Sequence, residues 1–550
     1  MTTIVSGSPP TPNGDLHLGH LSGPYSGADI LARARRLTGE ESIYLVGSDI
    51  HQSYVPEKAR ERRVDAMALA TSFDDEISRL FTTMGFSNAG YVRPRESDLH
   101  AAAVADFIGV LHASGKLEER TEDCLYCAPC DRYLFEAHVT GTCPFCGDDD
   151  CDANLCEKCA WPNVGTDLLE PRCNHCGTPP VLRPFTRLIF PLSRYADRLR
   201  GYHRTVVMSP QLESLAGELL EHGLPDIAVS HVTDWGVPVP VDGFPGQCVY
   251  VWAEMVPGYF AELAEALRAA GRDPGDWRRV WDEARVVQFF GWDNGYFHTL
   301  LFPALMMAYD PGLRLPAAWC ANEFFLLDDE KFSTSREHAI WGSELLELVP
   351  ADVVRFALAH DRPQFRRTNF TLRRFHDLVD GVLAGRWQGW LAGLFTALEE
   401  QAGGRIPGAA PTTAQRLFVA GLGTIAADGL AAYTVEQFSP RRAARTLREL
   451  VERATDFADG QSRLRRRAPG SPAALAGLAA EAQAAKLLAQ LAAPIMPGFA
   501  QRLWTALGCT GAPVWDDLAP LRAGTPYGTD RQFFLPLPPD LASRLGRDTR

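Results

Sequence analysis

The chain has 550 residues, a formal net charge of −14 and 46% hydrophobic side chains. At roughly 100 to 200 residues per domain, this length predicts three or four domains and excludes a small disulfide-stapled scaffold. No apolar run approaches the roughly 18 to 20 residues of a membrane-spanning helix, and the first residues lead directly into a strand pattern without a secretion signal. We therefore expect a globular protein of the cytoplasm, in which any nucleic-acid contact uses a local basic face.

The first part of the chain alternates strand and helix patterns. Residues 3–6 and 42–46 are predicted strands, separated by a Pro/Gly-rich turn and a helix over about 17–37. Further helices are predicted at about 65–84 and 100–114. The second strand runs into Gly47-Ser48-Asp49, so a carboxylate stands at a strand's carboxyl end, where open α/β sheets bind ligands.

The rest of the chain completes this pattern and then changes character. Strands are predicted at 249–252 and 286–290 with a helix between them, as a second βαβ half requires. From about residue 376 the sequence is helical throughout, with loops at 401–412 and 467–473. The fold class predicted is α/β: a doubly wound parallel sheet followed by an α-helical bundle.

A cysteine-rich segment interrupts the α/β pattern. Of the 13 cysteines, ten lie between Cys124 and Cys176, mostly as C-x-x-C pairs, which favours metal over disulfides in a chain without a secretion signal. The outer pairs enclose the inner ones, and each set of four thiolates satisfies a tetrahedral structural zinc. The outer set is Cys127, Cys130, Cys173 and Cys176, and the inner set is Cys143, Cys146, Cys156 and Cys159. Cys124 and Cys151 fall outside, as spare thiols or alternative ligands.

Two segments have the chemistry of a nucleotide-phosphate site. In the first, Asn13-Gly14-Asp15-Leu16-His17-Leu18-Gly19-His20 begins a helix, with Gly19 allowing close approach to a ligand. The second, Lys331-Phe332-Ser333-Thr334-Ser335, supplies a cation and hydroxyl donors for charge that develops on pyrophosphate. Without the second segment, the two histidines would be more typical of a structural helix end.

In this order the two segments resemble the HIGH and KMSKS signatures of class I aminoacyl-tRNA synthetases. The patterns P-N-G-x-L-H-L-G-H, G-S-D-x-H, Y-V-W, G-x-D-x-x-Y-F-H and K-F-S-T-S-R, with the cysteine insertion, narrow the resemblance to the methionyl-tRNA synthetase family. The resemblance implies an ATP-dependent ligase that forms an aminoacyl adenylate and transfers it to a nucleophile. It also implies ATP, Mg²⁺ and two structural Zn²⁺ as cofactors.

The family's architecture implies a division of the chain. Residues 1–117 and 229–320 are the halves of a Rossmann-type (HUP-like) catalytic domain, 118–228 the insertion with two zinc knuckles, 321–375 a stem-contact region with the KFSTS loop, and 376–550 an anticodon-binding-like bundle.

Site residues follow from the same resemblance, position by position. It implies catalytic roles for His17, His20 and Lys331. It implies ATP contacts at Asn13, Gly19, His20, Gly291, Asp293, Lys331, Ser333 and Ser335. Asp49 matches the position that binds the substrate ammonium. The pocket for the amino acid is implied to contain Pro9, Thr11, Asp49, Trp252, Met255, Val256, Tyr259, Asn294 and His298.

The chain departs from the family pattern in both substrate regions. In the pocket, Thr11 replaces a tyrosine, Met255 a small alanine and Asn294 an apolar residue. Because an unpaired buried amide penalises an apolar ligand, these changes favour a polar or smaller amino acid over methionine. In the bundle, Gly389 and about Leu464 stand where the family has an asparagine and a tryptophan that read the anticodon, so we expect altered anticodon reading.

Three hypotheses remain open at this stage. The first is a repurposed ligase that joins a non-methionine amino acid to a small nucleophile, for example an N-hydroxylated amine such as N-hydroxylysine in natural-product biosynthesis, with a separate cupin protein as partner. The second is a genuine methionyl-tRNA synthetase that charges tRNA(Met). The third is a non-catalytic tRNA-binding paralogue, against which the retained His17, His20, Asp49, Asp293 and Lys331 argue.

Overall fold

The computed structural model describes residues 2–332 and 338–547, which form two compact units. The first unit comprises the N-terminal segment to Asp15, Ile43–Arg79 and Asn88–Glu323. The second comprises Leu16–Ser42, Leu80–Ser87 and the chain from Phe324 onward. The five-part division predicted from sequence stays a prediction. Within the described residues, no helix combines the length and the apolar character needed to cross a membrane.

The elements have the following bounds. The strands are β1 Thr3–Gly7, β2 Ser42–Leu45, β3 Glu118–Cys127, β4 Arg132–Tyr133, β5 Glu136–Thr142, β6 Cys151–Ala153, β7 Leu169–Cys173, β8 Val181–Phe190, β9 Ile227–Ala228, β10 Ser230–Val232, β11 Gln247–Val249, β12 Arg285–Gly291, β13 Ala318–Asn322, β14 Phe325–Leu327, β15 Glu330–Lys331 and β16 Thr368–Phe370. The α-helices are α1 Leu18–His20, α2 Ser26–Leu37, α3 Tyr54–Arg62, α4 Ala66–Thr83, α5 Asp98–Ala113, α6 Ala196–His203, α7 Pro210–His222, α8 Val251–Ala269, α9 Trp277–Glu283, α10 Phe302–Tyr309, α11 Gly342–Leu346, α12 Ala351–His360, α13 Leu372–His376, α14 Gln388–Ala402, α15 Thr413–Ala431, α16 Pro440–Arg467, α17 Pro472–Ala492, α18 Pro497–Ala506 and α19 Leu541–Arg544. Segments of π-helix are Leu21–Tyr25, Phe297–Leu301 and Asp377–Trp387.

The central sheet of the first unit has the strand order β13-β12-β1-β2. β12 pairs in parallel with both β1 and β13, with Ile4 opposite Val286. This confirms the predicted α/β class with a parallel sheet. The predicted strand over 249–252 is correct only at Val249, the last residue of β11, which pairs antiparallel with β10. Residues from Val251 onward form helix α8, which is buried on nearly all sides. A short apolar run is equally typical of a buried strand and of a buried helix, so the sequence pattern could not distinguish the two.

The cysteine-rich insertion folds as two small sheets in the first unit. Their orders are β4-β3-β8-β9 and β6-β5-β7, and the pairings within both are antiparallel. The long β3–β8 pair brings Glu118 opposite Ile189 and Tyr126 opposite Val181. The segments between and after these strands carry the cysteines.

The second unit is mainly helical, as predicted for the C-terminal region. Its central helix α17 is buried along almost its whole length, and it packs against α15, α16 and α18. α17 begins at the Ser471-Pro472 pair, where the Ser471 side chain accepts a hydrogen bond from the backbone N–H of Ala474. The loops found at 403–412 and 468–471 agree with the predicted breaks. A three-stranded sheet of order β15-β14-β16 precedes the bundle.

Candidate active site

The two histidines of the first phosphate-type motif lie together in the second unit. The His17 and His20 rings stack with their centroids 3.7 Å apart. His17 caps α1: its Nδ1 accepts hydrogen bonds from the backbone N–H groups of Gly19 at 3.1 Å and His20 at 3.4 Å. A Cβ at Gly19 would lie 2.9 Å from the His17 ring, so only glycine allows this cap.

The cap also defines the chemical state of His17. Because Nδ1 accepts hydrogen bonds, the neutral ring carries its proton on Nε2. Burial, followed by the charges of His20 and Lys331, lowers the pKa of His17 well below its ordinary value. His17 is therefore a neutral N–H donor at physiological pH, while the exposed His20 beside it is the more accessible ring.

The second phosphate-type motif begins next to the histidines, within the same unit. Phe332 is buried and stacks on His17 with ring centroids 4.6 Å apart. Lys331 is exposed, and its Nζ lies 5.0 Å from the centroid of the Phe324 ring. After this loop the chain returns to the histidine segment, where Gly342 N–H donates to the Leu16 carbonyl at 2.8 Å. The predicted Ser333 and Ser335 contacts lie outside the described residues.

The helix after the histidines is interrupted at Gly23 and Pro24. Gly23 has a non-helical ψ of −117° within the π-helical segment. The Arg362 guanidinium donates to the carbonyls of Ser22 and Gly23, which the interrupted helix leaves without their usual partners. Arg362 therefore holds this bend in place.

In the first unit, Asp49 lies four residues beyond the end of β2, at the carboxyl end of the strand as predicted. Its backbone N–H donates to the Pro10 carbonyl at 2.9 Å, and Gln52 Nε2 donates to Asp49 Oδ2 at 2.7 Å. Burial, together with Glu136 and Glu254, raises the pKa of Asp49 well above its ordinary value against the opposing hydrogen bonds of Gln52 and Thr11. A cationic group bound here would relieve this cost, which is what an ammonium-binding carboxylate requires.

Other buried carboxyls surround Asp49, and the sequence analysis missed them. Glu254 Oε1 accepts from His51 Nδ1 at 2.6 Å and from His100 Nε2 at 2.8 Å. Burial opposes this ionisation, but the two imidazoles outweigh it and lower the pKa of Glu254 to about 2. Burial raises the pKa of Glu262 to about 8. Glu254 and Glu262, two glutamates among the apolar residues of α8, were the available sequence signal.

A small cavity of about 20 Å³ separates these carboxyls. Asp49, Glu254 and Glu262 line it together with Pro9 and Met255. This volume suffices for one water molecule or one ammonium-sized group. The structure thereby brings the predicted Pro9, Asp49 and Met255 together around one space.

The aromatic part of the predicted pocket is also assembled. Trp252 stacks on Phe297 with ring centroids 3.5 Å apart, and its Nε1 donates to Glu136 Oε1 at 3.1 Å. Tyr259 Oη lies 3.2 Å from His298 Nε2. Burial lowers the pKa of His298 to about 3, so this ring is neutral. Glu136, which comes from the insertion, is a contact that sequence reasoning did not find.

The argument that polar side chains at Thr11 and Asn294 disfavour methionine is weakened by the geometry. Thr11 hydrogen-bonds to Asp49, so its hydroxyl has a partner. The Asn294 side chain is half-buried rather than buried, and neither atom of its amide is buried without a hydrogen-bond partner among the described residues. The premise of an unpaired buried amide is therefore not met at Asn294. Val256 is buried in α8.

The remaining predicted ATP residues lie on two turns of the first unit. Asn13 is half-buried in the turn after β1, with its backbone N–H on the Thr11 carbonyl at 2.9 Å. Gly291 ends β12, and a Cβ there would lie 2.5 Å from the Asp293 carboxylate. Glycine is thus required for Asp293 to fold back over the strand end.

The two cysteine sets come together as predicted. The ligand atoms of Cys127, Cys130, Cys173 and Cys176 all lie within 4.8 Å of one another, and the same holds for Cys143, Cys146, Cys156 and Cys159. The nearest Sγ–Sγ distances within the sets run from 3.4 to 4.0 Å. A tetrahedral zinc with bonds of about 2.3 Å places its sulfurs about 3.8 Å apart. Both sets therefore fit structural zinc, which would connect the strand ends of the insertion.

The two other cysteines of the insertion stay outside these sets. Cys124 Sγ donates to the Glu122 carbonyl at 3.5 Å. Cys151 Sγ accepts from Asn163 Nδ2 at 3.0 Å. Both are buried.

The bundle positions singled out for anticodon reading carry no aromatic ring. Gly389 is exposed with open space at its Cβ position, and Leu464 is half-buried. Of the neighbouring arginines, Arg465 is paired with the buried Glu481 rather than available for RNA. Arg463, Arg466 and Arg467 are exposed.

Comparison with known proteins supports the catalytic interpretation. The family model described as "tRNA synthetases class I (M)" matches residues 3–392. The methionine-tRNA ligase of Korarchaeum cryptofilum is 30% identical over 516 residues, covering 93% of this chain and 91% of that protein. That of Thermofilum pendens is 33% identical over 394 residues, covering 71% of this chain and 69% of that protein.

The fold is shared with a solved structure. A crystal structure of Mycobacterium tuberculosis methionyl-tRNA synthetase bound by methionyl-adenylate matches with a TM-score of 0.80 and 21% identity, covering 97% of this chain and 100% of that chain. This likeness supports an α/β catalytic fold with a helical C-terminal region. Together with the family match over residues 3–392, it identifies the chain as a class I tRNA synthetase of the M type, an ATP-dependent amino-acid-activating ligase.

Proposed function

We propose that this chain activates methionine with ATP and transfers it to tRNA, the reaction named for its relatives, with the cytoplasm as its place. The observation that carries the proposal is the retained pocket of the first unit. In this pocket, Asp49 is a buried carboxyl that an ammonium group would stabilise. Trp252, Tyr259 and His298 belong to the same pocket. The relatives named methionine-tRNA ligase match along more than two thirds of this chain.

Each residue has a defined task in this proposal. The Asp49 carboxylate binds the α-ammonium, leaving the carboxylate of the amino acid as nucleophile for the α-phosphate of ATP. A neutral His17 donates from Nε2 to a phosphate oxygen, and Lys331 neutralises charge on the departing pyrophosphate. Mg²⁺ bound to ATP would supply further neutralisation. The two zinc sites are structural, because all four ligands of each are protein thiolates.

A second candidate is the transfer of a different amino acid to a small nucleophile, such as an N-hydroxylated amine, with a separate cupin protein as partner. Three observations favour it. Met255, which is larger than the alanine of the family pattern, lines the pocket, the buried carboxyls Glu254 and Glu262 line it as well, and neither Gly389 nor Leu464 offers an aromatic ring for stacking on an anticodon base.

The two candidates are separated by exchange of labelled pyrophosphate into ATP, measured without tRNA for the twenty amino acids and N-hydroxylysine. Methionine-dependent exchange, followed by methionylation of tRNA(Met), is the expected result. Exchange with another amino acid and no tRNA charging would replace this proposal with the second candidate. Asp49→Asn provides the control: without the Asp49 carboxylate, exchange should fall strongly whichever amino acid is the substrate.

A further inference from the structure

A second, larger cavity lies in the first unit. It has a volume of about 480 Å³ and opens where the zinc insertion meets the segment that leads into α8. Ligand sites of small molecules typically have volumes of about 300 to 1,000 Å³. The cavity can therefore accept a molecule of at least amino-acid size.

Aromatic rings form one wall of this cavity. Phe135 and His231 stack with their centroids 4.3 Å apart, and Tyr250 meets His231 edge-on at 4.8 Å. Phe297 also lines the cavity, and its ring stacks on Trp252 of the amino-acid pocket. The stacked rings of Phe297 and Trp252 therefore separate the cavity from that pocket. Ring faces attract organic cations.

The polar lining consists mostly of hydrogen-bond acceptors. Glu122, Asp123, Asp167 and Asp226 contribute four carboxylates. Two buried lining residues, Asn163 and Tyr296, are only 4% and 1% exposed, and Asn163 Oδ1 and Tyr296 Oη have no hydrogen-bond partner among the described residues. The Asn163 amide nitrogen already donates to Cys151 Sγ, so the unpaired atom is an acceptor that requires a donor.

Cations are scarcer in the lining. Arg187 is its single Lys or Arg side chain among the described residues, and its Nη2 donates to Glu122 at 3.1 Å. Arg120 reaches Asp226 from outside the lining at 2.7 Å. Even after both pairs, negative charge is in surplus. The buried Arg187 Nε has no partner among the described residues, so one donor remains for an acceptor on the ligand.

We propose that this cavity binds a small organic amine that also carries an acceptor group such as a carboxylate. The ammonium is recognised by the carboxylates, Asn163 and Tyr296, and the acceptor end by Arg187. This site is distinct from the Asp49 ammonium site, and it does not depend on which amino acid the enzyme activates.

Calorimetric titration of the full-length, zinc-loaded chain without ATP tests the proposal. The probe is 6-aminohexanoate, whose matched control hexanoate lacks only the amine. We expect saturable binding of 6-aminohexanoate in the millimolar range or tighter, with hexanoate about tenfold weaker or more, because hexanoate cannot donate the charge-assisted hydrogen bonds of the ammonium. Cadaverine, which lacks the carboxylate, binds more weakly than 6-aminohexanoate if Arg187 holds the acceptor end.

Variants locate the binding. Asp226→Asn should weaken it about tenfold and Tyr296→Phe about threefold, whereas Asp49→Asn and the exposed control Asp197→Asn should leave it unchanged. Tyr296→Phe removes one oxygen without changing packing, so it remains informative if Asp226→Asn impairs folding. No binding of 6-aminohexanoate, equal binding of hexanoate, or loss of binding in Asp49→Asn alone would overturn the proposal.

Discussion

Two buried aspartates, Asp29 in the second unit and Asp49 in the first, have opposite environments. Asp29 Oδ2 accepts from Arg355 at 2.6 Å and Arg33 at 2.8 Å, and its Oδ1 accepts from Ser87. Burial opposes ionisation, yet these partners outweigh it and lower the pKa of Asp29. At Asp49, burial and neighbouring carboxyls raise the pKa instead.

This difference separates a structural carboxylate from one kept for a ligand. Arg355 is 1% exposed and also donates to the carbonyls of Ile495, Met84 and Pro494, so the pair joins several segments of the second unit. Asp49 accepts from Gln52, and Glu254 accepts from His51 and His100, but neither carboxyl has a Lys or Arg ion pair among the described residues. No cation lowers the pKa of Asp49, so a substrate ammonium would supply the positive charge that this carboxyl lacks.

The largest effect is expected from breaking the structural pair. Arg355→Met should lower the free energy of unfolding by about 3–5 kcal/mol, because Asp29 would keep a buried charge with less compensation. Chemical denaturation of the zinc-loaded chain measures this. The double variant Asp29→Asn/Arg355→Met should recover part of the loss. Equal stability of Arg355→Met and the wild type would refute the structural role.

Asp49→Asn should have the opposite effect, a loss of activity without a loss of stability. We expect amino-acid-dependent pyrophosphate exchange to fall about 10² to 10³-fold, the scale for one charge-stabilising group in an active site. Unfolding should require at least as much free energy as in the wild type, because a poorly compensated buried carboxyl is removed. Asp197→Asn, at an exposed position of α6, serves as the control for both measurements. An Asp49→Asn variant that is less stable than the wild type but still active would show that Asp49 is structural and would contradict its role in binding the substrate.

Glu262→Leu should show how much the burial of the Glu262 carboxyl costs in stability. Burial raises the pKa of Glu262 to about 8 from 4.5, so the folded state holds the proton more tightly than the unfolded state. Wild-type stability should therefore fall as pH rises from about 5 to 8. The stability advantage of the variant should grow by about 3 kcal/mol over this interval. Denaturation at several pH values measures the difference, and parallel pH profiles would contradict the assignment.

The smallest change is expected at the outer cation of the structural pair. Arg33 is 23% exposed in its side chain, and Arg355 remains on Asp29 without it. Arg33→Met should cost about 1 kcal/mol of unfolding free energy, within the range of partly solvated pairs. A cost as large as that of Arg355→Met would show that the two cations act as one unit.

Much of the fold was predictable because it depends on local patterns. The strand before Ser8, the break before Thr413 and the helices of the bundle follow from periodicity, caps and turn residues. The cysteine spacing predicted the two ligand sets, since two C-x-x-C pairs supply the four thiolates of one tetrahedral site. The strand predicted at 249–252 was wrong beyond Val249, because apolar content alone does not define the period of a buried element.

The sequence by itself determined the chemical parts of this protein: the His17–His20 and Lys331 motifs, Asp49 at a strand end and eight paired cysteines. Only the tertiary structure decided their states. It placed Glu254 and Glu262 around Asp49, gave Thr11 a partner and left Asn294 half-buried. The physical reason is that motifs specify which groups are present, whereas pKa and hydrogen-bond satisfaction depend on burial and on neighbours that are distant in sequence.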